Sequence, residues 1–185
     1  MVEPRDNDET PLAAGRFSAW LGEMDAALRG EGEADVPCDG CTACCRASQF
    51  IDVEPDEAAA LARIPKALLF PAPRRPAGHK VMGYDERGWC PMLTEEGCSI
   101  YEHRPRACRT YDCRIFAATG IEVDETQPEI AARVRRWVFA FDTDDDRALH
   151  DAVRAAAQFV RQRDDGSLNP NGLAVRALES RDKRE

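Results

Sequence analysis

Apolar residues recur at helical spacing early in the chain. Phe17, Trp20, Leu21, Met24 and Leu28 fall on one helix face, with Thr10-Pro11 reading as the helix start and Gly30 as its stop. Residues 30–36, GEGEADV, read as a linker. Residues 50–53 predict a short strand, and Pro55 opens a helix carrying Ala58, Leu61 and Ile64. Three prolines and a glycine make PAPRRPAG at 71–78 a loop. Residues 80–84 and 89–93 predict two strands around Asp85-Glu86-Arg87-Gly88, a hairpin pattern. Further on, Thr126-x-x-Glu129 reads as a capping box, with Ile130, Val134, Trp137, Val138 and Phe141 as an apolar stripe. Residues 144–146 cap a helix carrying Leu149, Val153, Ala156 and Val160. Asn169-Pro170-Asn171-Gly172 reads as a turn before a last short helix over 173–178, and the end, ESRDKRE, as frayed. The pattern predicts a helix-rich α+β fold whose irregular centre carries a short β-hairpin between flanking helices. The divisions it predicts are 1–35, an N-terminal helix and acidic linker; 36–116, the irregular centre; and 117–185, a helical extension packing on it.

Cysteine placement gives that centre its chemistry. All eight cysteines lie between positions 38 and 113: Cys38, Cys41, Cys44 and Cys45, then Cys90, Cys98, Cys108 and Cys113. Clustered thiolates at two-residue gaps are how chains grip zinc or iron–sulfur clusters, because a tight turn lets both sulfurs face one point. Cys38/Cys41 and Cys41/Cys44 have that gap, and Gly40 supplies the backbone freedom a knuckle needs. Adjacent side chains diverge, so Cys44 and Cys45 are expected to serve different metals, or different corners of one polynuclear site, and the two cysteine groups to interleave. All eight are read as ligands. Eight thiolates suit two tetrahedral zinc sites, two iron–sulfur clusters or one of each. The run lacks the fourth-cysteine spacing of bacterial ferredoxins and the Cys-x3-Cys-x2-Cys of radical enzymes.

Charge and compartment narrow the setting. The net charge of −9 divides as −6 over residues 1–35, zero over 36–116 and −3 over 117–185. No segment has the basic excess that phosphate backbones demand, which argues against nucleic acid as a partner. The first residues show neither a basic region nor an apolar core of an export signal, and no apolar run approaches a membrane span. A cytoplasmic, reducing setting is expected, where thiols act as ligands or redox groups rather than disulfides.

The order of these motifs resembles a known family. Cys38-x-x-Cys41-x-x-Cys44-Cys45-Arg46, Cys90-Pro91-x-Leu93, Gly97-Cys98-Ser99-Ile100-Tyr101-Glu102, Arg104-Pro105-x-x-Cys108-Arg109 and Tyr111-x-Cys113 follow the pattern of the YkgJ-type CxxCxxCC family over 36–116. The resemblance implies a zinc- or iron-chelating domain. It carries no message about the helices outside that range.

Arg46, Arg104 and Arg109, with Arg114, sit beside cysteines. They are read as hydrogen-bonding to a thiolate centre and offsetting its charge. His103 lies between two cysteine groups, but the eight thiolates already complete two sites. His79 reads as solvent-facing, and His150 as the helix-surface neighbour of Asp146. The function expected is a metal-binding protein, structural or carrier and regulatory, with no catalysis of its own. The alternative is an iron–sulfur redox enzyme or electron carrier; thiol–disulfide exchange is the weakest reading. The partners expected are the metal ion and a protein, with no membrane.

Overall fold

The structure is a computed structural model that describes residues 10–34, 36 and 40–181. Cys38 and Asp39, read as part of the first knuckle, and the last four residues, read as frayed, lie outside the described residues. Among the described residues, seven α-helices and seven strands, none of the strands longer than five residues, make this a helix-rich α+β fold. The chain divides into two compact units. One joins the residues up to Asp25 with those from Cys113 onward; the other is Ala26–Asp112.

The first unit is built on aromatic packing. Strand β1 (Leu12–Arg16) runs directly into helix α1 (Phe17–Leu28). The helix therefore begins well after Thr10-Pro11, because residues 12–16 are taken by parallel pairing with β7 (Trp137–Ala140). Phe17, Trp20, Leu21, Met24 and Ala27 form the buried face of α1, whereas Leu28, expected on that face, is exposed. The Phe17 ring lies 5.6 Å from Trp20, 5.2 Å from Phe139 and 5.7 Å from Phe141. Gly30, at φ 75°, ends α1, with Glu31 N donating to Ala26 O (2.8 Å) and Gly30 N to Ala27 O (3.0 Å). That pair of bonds satisfies carbonyls the helix would leave open, and glycine takes the left-handed conformation without a Cβ penalty.

The stripe read as one helix from Ile130 to Phe141 divides in two. Helix α5 (Pro128–Arg136) stops where Trp137 turns extended, and Trp137, Val138 and Phe139 continue as β7 with alternating burial. Aromatic and β-branched residues in a row suit a strand, and β1 offers the partner, so tertiary pairing overrides the helical spacing. The capping box at Thr126 does not form: Gln127 holds the cap position without a side-chain bond, and the Thr126 hydroxyl donates to Asp124 instead (2.6 Å).

A true box opens α6 (Asp144–Arg163), where Thr143 Oγ1 accepts from Asp146 N and the Asp146 carboxylate accepts from Thr143 N. The fully buried Asp146 carboxylate also accepts from Ser18 N, Asp142 N and Arg16 Nε, so it ties the start of α6 to the β1–α1 junction. Residues 169–172, read as a turn, begin α7 (Pro170–Ser180): Asn169 caps it and Pro170 fills its first position. Helix α4 (Arg114–Thr119) is buried on almost every side. Arg114 in it donates to Ala14 O at 3.1 Å.

The second unit is made of shorter pieces. Strands β2 (Ile51–Val53), β4 (Lys80–Met82) and β3 (Leu69–Pro71) form an antiparallel sheet with β4 in the middle. Helix α2 (Ala58–Arg63) starts three residues after Pro55. Val53, Ala60, Ile64, Met82, Met92 and Ile100 form the core, with Cys90 and Cys98 packed at its edge. The hairpin expected between 80–84 and 89–93 does not form a ladder. Strand β4 pairs instead with β2 and β3, and the small hairpin is β5 (Leu93–Thr94) with β6 (Gly97–Cys98). Helix α3 (Arg106–Thr110) closes the unit.

Candidate metal centre

The second unit builds its cysteine neighbourhood from short turns. Cys44 and Cys45 lie in a single 3-10 turn, Ala43–Arg46, anchored by buried Ala43 and Ala47, with Cys45 N donating to Thr42 O (2.9 Å). The Asp85 turn presents the second piece. Asp85 Oδ1 accepts from Arg87 N and Trp89 N, both at 2.9 Å, and Oδ2 takes the Arg87 guanidinium. Bonds from the Trp89 backbone and the Arg87 side chain hold the Asp85 carboxyl below its usual range. The two pieces are joined by Cys90 N donating to Cys45 O (2.6 Å) and Ser48 N to Gly88 O (2.9 Å). Gly88 is required there: its φ is 80°, and a Cβ would stand 2.2 Å from Ser48 Oγ.

Four thiols share this neighbourhood. Burial pushes the Cys108 thiol up to about 12, and the thiols of Cys90, Cys45 and Cys98 push it the same way, against Arg104. Burial also raises Cys90, opposed by the backbone N–H groups of Met92 and Leu93. Amides directed at sulfur after a Cys-Pro turn are what a thiolate ligand needs to spread its charge. Cys98 joins from β6, opposite Leu93 of the same hairpin. Cys108 comes from α3, whose position is set by Glu57. The Glu57 carboxylate accepts from Arg106 N at the start of α3 (2.5 Å) and from Glu54 N beside β2 (2.8 Å). Arg106 reaches Glu54 and Asp56 as well. Sequence reasoning missed Glu57, because one acidic residue in an acidic chain carries no signal until α3 is seen above it.

Among the predicted arginines, Arg104 acts on a cysteine of this group. Arg104 stacks on Tyr101 (4.0 Å) and opposes the rise of Cys108. Arg109 donates to Arg104 O (3.1 Å) and pairs with Glu33, with Glu57 at 3.7 Å. Arg46 and Arg87 lie against the Trp89 ring at 4.6 and 4.3 Å. His150 is not a surface partner of Asp146: it packs half-buried against Phe17 (4.9 Å) and Phe141 (5.0 Å), and burial lowers its pKa.

Cys41 and Cys44 are half-buried. Cys113 belongs to the other unit, where it caps α4 and takes a hydrogen bond from Trp137 Nε1 (3.2 Å). Among the described residues no three His, Cys, Asp or Glu side chains are already converged as a metal-ligand group. What the geometry supplies is a neighbourhood of four thiols with directed amides and a nearby cation, not a finished coordination shell. The donor set fits a soft metal: four sulfurs suit tetrahedral zinc or iron–sulfur ligation.

The chain belongs to the CxxCxxCC family, described as a putative zinc- or iron-chelating domain, whose model matches residues 37–132, just over half of the chain. No curated protein and no solved structure matches it. No helix among the described residues is long and apolar enough to cross a membrane.

Proposed function

We propose that this protein holds zinc or an iron–sulfur cluster through its cysteine thiolates in the cytoplasm, as a structural, carrier or regulatory metal protein without catalysis of its own. The observation that supports the reading is that Cys45, Cys90 and Cys98 lie near enough to Cys108 to raise its thiol pKa, with Cys90 N bonded to Cys45 O and Cys98 on the hairpin opposite Leu93. These four are one ligand set; Cys38, Cys41, Cys44 and Cys113 supply further thiolates. Arg46, Arg104 and Arg109 offset the charge.

Metal analysis and visible absorption of anaerobically purified protein test this. Bound zinc without colour supports the carrier or structural reading. Iron with sulfide-dependent absorption supports the electron-transfer alternative. Protein that holds neither and binds neither on reconstitution overturns both. Replacing Cys45 or Cys108 by serine is expected to remove about one metal equivalent, as loss of one of four ligands opens a structural site.

A further inference from the structure

Trp137 lies beyond residue 132, where the match to the family model ends, yet its indole is bonded to a cysteine of the family pattern. Nε1 stands 3.2 Å from Cys113 Sγ, and both residues are buried, at 7% and 8% exposure. Local structure holds both ends of the contact. Cys113 sits at the cap position of α4, and Trp137 opens β7, paired with Leu12 of β1. The Arg133 guanidinium covers the Trp137 ring at 4.8 Å. An indole N–H can only donate, so its partner here is fixed as an acceptor. A neutral thiol is a weak acceptor. A sulfur carrying ligand charge is a far better one, because the bond becomes charge-assisted.

We propose that Trp137 is a positioning donor for Cys113: its N–H orients the sulfur and draws charge from it, slowing the release of a metal bound there. This rests on the reading of Cys113 as a ligand. It gives the C-terminal extension a direct part in the metal chemistry, through a residue that the motif does not contain. A tryptophan kept only for packing would need its ring and not its N–H, and that difference is testable.

The full-length protein, loaded with zinc, is compared with Trp137→Phe, which keeps an aromatic ring and loses the donor. Release of zinc to a colorimetric chelator is followed, with circular dichroism as the check on folding. The expected result is that one zinc equivalent leaves about tenfold faster in Trp137→Phe, the scale of loss when a ligand's hydrogen-bond partner is removed. Unchanged release from folded Trp137→Phe, with Cys113→Ser losing that equivalent, overturns the proposal and leaves Cys113 as a ligand. Full zinc retention by Cys113→Ser overturns the ligand reading and the proposal with it. Should Trp137→Phe fail to fold, wild-type protein loaded with cadmium-113 decides. A through-bond correlation from the Trp137 indole proton to the metal supports the contact, and its absence beside resolved cadmium signals overturns it.

Discussion

The two units order their chains by different means. In the unit that carries α1 and the helices from α4 to α7, large apolar side chains interlock: Phe17 and Trp20 are at most 2% exposed and share their contacts with Phe139. In Ala26–Asp112 the core is a handful of aliphatic and methionine side chains, and the longest helix lying wholly within it has six residues. Short turns fix few dihedrals cooperatively, so they need cross-links from elsewhere. Here those links are backbone bonds between turns, a carboxylate under α3 and, on the proposed function, metal on sulfur. A unit stapled at points and a unit filled by packing should fail differently.

Chelation should separate them most sharply. Stripping the metal is expected to abolish most of the order of Ala26–Asp112 while the outer helices persist. Circular dichroism should show partial helix loss, and hydrogen exchange should locate it; an unchanged thermal transition would show that the second unit folds without metal. The converse perturbation is Phe17→Ala, expected to cost about 3–5 kcal/mol in the aromatic unit. Denaturant unfolding should register that loss with metal content unaltered.

A smaller effect within the stapled unit is expected from Glu57→Ala. It leaves the amides of Arg106 and Glu54 without their acceptor, at about 1–3 kcal/mol, and loosens α3 under Cys108. Metal retention, read by chelator competition, should fall with it. A variant with wild-type retention would show that α3 is held by other contacts.

The mildest probe is acid on the packed unit. The Asp146 carboxyl is held well below its usual range, chiefly by its bonds to Ser18, then Thr143 and Arg16, against the cost of burial. A depressed folded pKa means that its contribution is complete above the unfolded value, near 3.8, and is lost as pH falls from there toward the folded value. Stability of this unit should therefore fall below about pH 4, and Asp146→Asn should flatten that part of the profile. Thr143→Ala, which removes the reciprocal cap, should cost about 1 kcal/mol.

Much of this protein was legible from residues alone wherever the information was local. The face of α1, the Gly30 stop, the long helix after residue 143 and the cysteine pattern all depend on neighbours a few positions apart. The family resemblance likewise rests on motif order, which folding does not alter. Where partners were distant, local signals misled: Trp137 reads as helical until β1 is placed beside it, and 89–93 reads as a strand until β4 finds β2 and β3 instead. The cysteine count pointed to metal chemistry, but only tertiary structure decided which thiols share one neighbourhood. Cys45, Cys90, Cys98 and Cys108 are spread over 64 positions, and their grouping follows from one bond between Cys90 N and Cys45 O, one small hairpin and one carboxylate beneath α3. Spacing governs which sulfurs a single turn can bring together. Long-range backbone pairing governs which turns come together, and no short window of sequence contains it.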